Sequence, residues 1–177
     1  MNVIISRPEG LTEDIRFAFG TCSLGAVLVA ASDKGIVAIL MGDDLPALRR
    51  ELATAFPVAR LALDETALAA SVARVVAFLE TPRQELDLPL DIRGSALEQA
   101  VWQALRAVPA GQTVTYGKIA KALPLPATAK EVGEACAANL LAVAIPCHRV
   151  VKAGGSISGY RWGVRRKMKL IERESAA

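Results

Sequence analysis

The sequence predicts an α+β fold in two parts, and three observations carry that prediction. Residues 15–93 hold short apolar runs set off by turn residues, followed by two stretches of helical spacing. Beyond Gly94 the extended runs give way to short helices opened by capping-box pairs. The charge changes sign at the same place. Nine Lys/Arg stand against thirteen Asp/Glu up to Arg93, a net −4, and twelve against five from Gly94 onward, a net +7. The expected organisation is a tail over 1–14, a small α/β domain with an antiparallel sheet and helices over 15–93, and a mostly helical domain with a helix-turn-helix over 94–177.

Each element has a local reason. Residues 1–14 are polar, hold Pro8 and Gly10, and read as a loose tail. Arg16–Phe19, Ala26–Ser32 and Gly35–Leu40 read as strands, the last two joined by a hairpin turn at Asp33-Lys34-Gly35. Leu45, Leu48, Leu52 and Phe56 recur at helical spacing behind Asp44 and Pro46, and Pro57 stops them. Leu68, Val72, Val75, Val76 and Leu79 repeat the pattern up to Thr81-Pro82. Leu86, Leu88, Leu90 and Ile92 alternate with polar residues and Pro89, as in an edge segment or linker.

In the second part Ser95 and Glu98 form a capping box for a helix through Arg106, with Leu97, Val101 and Leu105 inward. A short helix is expected over Tyr116–Leu123 and ends at Pro124-Leu125-Pro126. Thr128 and Glu131 open another, to about Leu140, with Val132, Cys136 and either Asn139 or Leu140 inward. Two short helices about a tight turn, in a basic half-chain, suggest a helix-turn-helix whose second helix meets DNA.

Composition removes several function classes. With 53% apolar and 22% charged residues a packed domain is expected, not a disordered chain. Three irregularly spaced cysteines do not make a disulfide scaffold. No cysteine pair has zinc-ligand spacing and there is a single histidine, so neither metal nor cofactor is expected. The longest uncharged stretch, Phe17–Ser32, is sixteen residues with two glycines, too short for a membrane span. Without a signal pattern, a cytoplasmic monomer with no membrane partner is the expectation.

The chemistry gathers at Ile145-Pro146-Cys147-His148-Arg149-Val150. A thiol is a nucleophile as thiolate, which needs nearby positive charge or a base. Here the one histidine abuts a cysteine, with an arginine next. In an extended segment neighbours point to opposite faces, so adjacency alone leaves a buried structural cysteine and a nucleophile both open. Cys22 and Cys136 sit in apolar runs and read from their surroundings as structural.

That hexapeptide, with Ser158-Gly-Tyr-Arg-Trp-Gly163, Leu88–Gly94 and Val101-Trp102-Gln103-Ala104-Leu105, resembles the O6-alkylguanine-DNA alkyltransferase family, and in particular its bacterial Ada-type members. The resemblance runs from about Ile15 to the end. It implies an N-terminal α/β domain and a C-terminal helix-turn-helix that binds the minor groove of double-stranded DNA carrying alkylated guanine. The implied activity is single-turnover DNA repair. A methyl or small alkyl group passes from O6 of guanine, and from O4 of thymine, to Cys147, with the nucleotide flipped out. By the same resemblance His148 deprotonates Cys147 through a water, Glu174 orients His148, Asn139 braces the turn, and Tyr116 protonates the departing base. Val150, Tyr160, Arg161, Cys136 and Trp102 are implied at the substrate, and Thr128, Ala129, Lys130, Gly133 and Arg149 at the DNA. Lys118, Lys121, Lys152 and Arg165-Arg166-Lys167 are further candidates for phosphate contact.

The sequence departs from the family at two points. Lys130 stands where the family has an arginine that fills the vacated base stack, and Glu131 replaces a small apolar residue. Lysine keeps the charge without the planar guanidinium. The zinc-bound cysteine domain of Ada-type proteins has no counterpart in Met1–Asp14. Two alternatives remain: a lesion sensor that binds without transfer, which Cys147 argues against, and a helix-turn-helix regulator with a redox-active Cys147.

Overall fold

The computed structural model describes residues 12–82, 86–157 and 159–175. The expected tail falls almost wholly on residues 1–11, outside the described residues. At its end Asp14 already begins a strand.

Strands β1 (Asp14–Cys22), β2 (Gly25–Ala31) and β3 (Ile36–Gly42) form an antiparallel meander. β2 and β3 are almost continuously apolar and buried along their lengths, as strands covered on both faces must be. Helix α1 (Leu45–Ala55) starts at Asp44, whose side chain accepts from the Ala47 N–H, and buries Leu48 and Leu52. Helix α2 (Glu65–Glu80) buries Leu68, Val75, Phe78 and Leu79. It lies so close to β1 that a Cβ on Gly20 would come within 2.7 Å of Val72.

Between the helices lies a strand that the sequence reading lacks, β4 (Arg60–Leu63). It pairs parallel with β1, so the sheet has the order β3-β2-β1-β4 and is mixed, not wholly antiparallel. Its pattern is hidden because only Leu61 of the four is half-buried and the rest are exposed at the sheet edge. The Leu86–Ile92 segment meets the other edge. The Ile36 N–H donates to the Pro89 carbonyl at 2.8 Å, and the Asp91 N–H to the Ile36 carbonyl at 2.8 Å.

The second half is mostly helical: α3 (Ala96–Arg106), α4 (Tyr116–Ala122), α5 (Ala129–Ala138) and α6 (Val164–Ser175). Both expected capping boxes form, Ser95 with Glu98 and Thr128 with Glu131. α4 and α5 make the helix-turn-helix pair, and α3 packs on both. Two-residue strands β5 (Val114–Thr115) and β6 (Val150–Val151) pair in parallel, a contact too short to leave a periodic trace. α6 is also absent from the sequence reading. Its buried positions are Lys167, Leu170 and Glu174, and two charged residues on the inner face conceal the apolar period.

The two halves meet along the β3 edge. The Ile39 N–H donates to the Leu140 carbonyl at 2.8 Å, and the Ala142 N–H to the Ile39 carbonyl at 3.0 Å. The chain leading to Cys147 is thereby anchored to the sheet, and the edge strand is covered.

Candidate active site

The site is built on the turn between α5 and a single 3-10 turn over Cys147–Arg149. Asn139, fully buried at the C-cap of α5, holds this turn. Its Oδ1 accepts from the Leu141 N–H at 2.8 Å, and its Nδ2 donates to the Ile145 carbonyl at 3.1 Å and to Cys147 Sγ at 3.3 Å. Of the two residues offered as inward, Asn139 is the buried one. The turn also contains Val143 at φ 61°, a left-handed conformation that a β-branched residue adopts only under constraint.

Cys147 is 4% exposed. The neighbouring Cys136 thiol, hydrogen-bonded to it, and burial push its thiol above the usual range, while Asn139 and the Lys167 ammonium pull the other way. His148 and Glu174 are buried together, with Nε2 and Oε1 2.6 Å apart. Burial lowers the His148 pKa and outweighs the opposing pull of Glu174, so the ring is neutral near pH 7. Burial also opposes the charge on Glu174, but hydrogen bonds from His148 and Arg149 overcome it and hold the carboxyl below its ordinary range. A neutral imidazole beside a carboxylate donates its Nε2–H to it. That leaves Nδ1, buried and without a hydrogen-bond partner among the described residues, as the basic nitrogen.

Arg149 requires a correction. Expected at the DNA, it is 8% exposed and turned inward. Its Nε and Nη2 donate to Glu174 at 2.8–3.2 Å, and its Nη1 to the Val108 carbonyl at 2.6 Å. Glu174 needs that cation: a buried carboxylate facing only a neutral histidine would be uncompensated. Lys167 leaves the list of phosphate contacts for a similar reason. It is fully buried, with its ammonium 6.0 Å from the centre of the Tyr116 ring and 3.4 Å from the Gly159 carbonyl. Burial lowers its pKa, and the two cysteines oppose that shift. Arg166 is tied to the Leu24 and Trp162 carbonyls and to Asp43. Sequence reasoning missed the inward roles of Arg149 and Lys167 because charge on a basic segment reads as solvated surface.

The remaining expected residues divide by place. Tyr116 begins α4 directly after β5, and a Cβ on Gly133 of α5 would be 3.8 Å from its ring. Val150 is buried in β6. Tyr160 packs edge-on against Trp162, with ring centres 5.3 Å apart and its hydroxyl buried. Arg161 donates to the Ala137 carbonyl at 2.7 Å and to Glu51 of α1 at 3.1 Å. Trp102 serves packing: its indole N–H donates to the Ala135 carbonyl at 2.9 Å, and its ring lies against Gly94, where a Cβ would be 2.5 Å away. Thr128, Ala129 and Lys130 are exposed at the start of α5. Lys130 reaches Glu134 at 3.8 Å, whereas Glu131 is engaged by Thr128. Lys118, Lys121, Lys152 and Arg165 are exposed as well. Among the described residues no group of three His, Cys, Asp or Glu side chains could hold a metal, and no helix is long and apolar enough to cross a membrane.

A mixed sheet is joined to a helix-turn-helix unit, and the turn between them holds a buried thiol, a histidine–carboxylate pair and a bracing asparagine. Comparison with known proteins names its family. Residues 15–92 match the model of the 6-O-methylguanine DNA methyltransferase ribonuclease-like domain, and residues 96–176 that of the 6-O-methylguanine DNA methyltransferase DNA binding domain. The chain is 39% identical over 113 residues to the methylated-DNA–protein-cysteine methyltransferase of Mycobacterium bovis, covering 64% of this chain and 68% of that one. It is 50% identical over 161 residues to the bifunctional transcriptional activator/DNA repair enzyme Ada of Escherichia coli, covering 91% of this chain and 46% of that one. Its fold superposes on the crystal structure of Mycobacterium tuberculosis OGT in complex with DNA with a TM-score of 0.77 at 29% identity, covering 91% and 93% of the two chains. The chain belongs to the methylated-DNA–protein-cysteine methyltransferase family. It spans about half the length of the Ada relatives it matches.

Proposed function

We propose that this chain repairs DNA by moving a methyl or small alkyl group from O6 of guanine, and from O4 of thymine, onto Cys147, once per molecule. The observation that carries the reading is the buried Cys147 held by Asn139, beside the neutral His148 fixed by Glu174. Its thiol proton leaves toward His148 Nδ1 through a water, and the resulting imidazolium is stabilised by the Glu174 carboxylate. The sulfur attacks the alkyl carbon in line. The S–C bond forms as the C–O6 bond breaks, and the guanine takes the electron pair and a proton from Tyr116. Lys167 favours the thiolate by charge. The thioether product has no easy route back to thiol, so the protein is consumed.

The damaged nucleotide must leave the stack to reach a thiol this deep. Thr128, Ala129 and Lys130, with Gly133 behind them, form the face offered to the minor groove. Lys118, Lys121, Lys152 and Arg165 are the exposed cations for phosphates. Val150, Tyr160, Arg161 and Cys136 surround the base. The division into 15–93 and 94–177 assigns this chemistry to the second domain of a monomer that works in the cytoplasm on double-stranded DNA.

The test is incubation with a slight excess of duplex containing O6-methylguanine. One methyl per chain and no further turnover is expected. Tight lesion binding with no gain in protein mass would make the chain a sensor instead.

A further inference from the structure

One short turn of the first domain, Ser23-Leu24 between β1 and β2, is gripped by both ends of α6. Near the start of the helix Arg166 donates from Nε to the Leu24 carbonyl at 2.8 Å, and from Nη2 to Asp43 at 2.6 Å. Two helical turns later Arg173 donates from Nη2 to the Ser23 hydroxyl at 2.6 Å, and from Nη1 to the Leu79 carbonyl at 2.7 Å. A spacing of seven puts both arginines on one face of the helix. Ser23 is itself fixed by Glu80, the last residue of α2. Its N–H donates to Glu80 Oε1 at 2.7 Å and its hydroxyl to Oε2 at 3.0 Å. Arg173 thus enters a socket made by Ser23, Leu79 and Glu80, with its guanidinium 4.0 Å from the Glu80 carboxylate.

Each of these arginines precedes a buried charge in the chain, Lys167 after Arg166 and Glu174 after Arg173. Successive residues on a helix diverge by a fixed angle, so fixing the outward arginine fixes where its inward neighbour starts from. The consequence is largest for Glu174, the last residue but one of α6. The end turn of a helix has carbonyls without onward partners and opens most readily. Arg149 holds the Glu174 carboxylate, but it grips only the side chain. Arg173 ties the helix turn that carries it.

We propose that Arg173 and its socket residues Ser23 and Glu80 are positioning residues, which hold the last turn of α6 so that Glu174 stays on His148. This rests on the reading of His148 as the base for Cys147, and it gives the first domain a part in chemistry sited in the second. The clasp lies near the surface, with the Arg173 and Glu80 side chains 23% and 43% exposed, so it adds little to overall stability. Its effect is on geometry. A loosened end turn draws Glu174 away from its 2.6 Å contact with His148 Nε2, and a neutral ring without that acceptor populates both tautomers.

His148 is the one histidine in the chain, so nitrogen NMR of tag-free protein reads its ring directly. The parent is expected to show one tautomer, with Nε2 protonated. Arg173→Ala removes the clasp from α6, and Glu80→Lys repels Arg173 without altering α6. Both variants should shift the two ring nitrogens toward the averaged values of mixed tautomers, and should slow methyl transfer from duplex several-fold. Ile15→Ala opens a cavity at the far end of β1 from the turn and should leave the ring as in the parent. An unchanged ring in either clasp variant would overturn the proposal, as would the same change in Ile15→Ala. Failure of the repair reading would show separately, as a parent protein that takes up no methyl.

Discussion

The first half of this protein buries almost nothing but hydrocarbon, and the second half buries its charges. β2 and β3 contribute an unbroken run of apolar side chains to the core. All five buried polar or charged residues among those described, Asn139, His148, Arg149, Lys167 and Glu174, lie beyond residue 138. Hydrophobic burial stabilises the sheet directly. A buried carboxylate, guanidinium and ammonium do the opposite unless each finds a partner, and even then the net gain is small. The two regions therefore answer to different demands, the sheet to stability and the turn around Cys147 to the chemistry proposed for it. The sheet also serves the site, because the β3 edge holds the backbone of Leu140 and Ala142 in place.

Breaking the chemistry gives the largest effect. Cys147→Ser should abolish methyl transfer while leaving lesion-containing duplex bound, because a serine alkoxide is out of reach near neutral pH. The check is a paired measurement of transferred methyl and of binding by fluorescence anisotropy; methyl on the serine variant would place the acceptor elsewhere.

Breaking the buried charge pair should look different from breaking the sheet. Glu174→Gln leaves the Arg149 guanidinium buried without its carboxylate, and about 3–5 kcal/mol of stability should be lost. Leu28→Ala in β2 should lose about 2–5 kcal/mol through a cavity. Urea unfolding separates the causes. Adding Arg149→Met should return most of the loss in the Glu174→Gln background and none of it in the Leu28→Ala background.

Acid should strike the second half first. The folded pKa of His148 lies below its ordinary 6.5 and that of Glu174 below its ordinary 4.5. In both cases the unfolded chain binds protons that the folded one refuses. The stability from His148 is thus complete above pH 6.5 and declines as pH falls toward its folded pKa, and that from Glu174 follows below pH 4.5. Amide hydrogen exchange between pH 7 and 4 should show α6 and the 147–151 segment loosening before β1–β3. Simultaneous loss in both regions would mean that the ion pair does not control the second half.

The smallest expected effect lies on the face proposed for DNA. Lys130→Arg should raise the repair rate on duplex several-fold more than the rate on free O6-methylguanine base, since the free base needs no flipping. Equal changes on both substrates would remove Lys130 from that step.

Most elements were legible from the sequence because their signals are local. The Asp33-Lys34-Gly35 turn, the Asp44 cap and both capping boxes act within four residues, and the structure has all of them. β4 was not legible because its partner, β1, lies more than forty residues away and its own residues are mostly exposed. α6 was hidden by the charges on its inner face. At the site, Cys147 and His148 stood out as neighbours, and Asn139 and Glu174 entered through the family resemblance. Arg149 and Lys167 were assigned to DNA because a basic residue gives no local sign that a buried carboxylate or thiol awaits it.

The central claim is that Cys147, and not its neighbour Cys136, accepts the alkyl group. Both fall in the single tryptic peptide 131–149, so fragmentation of that peptide after reaction with methylated duplex assigns the methyl to one sulfur. This account predicts one methyl on Cys147, with Cys136 still free to react with maleimide. A methyl on Cys136, or an unmodified peptide from protein that has exhausted the lesion, would contradict it.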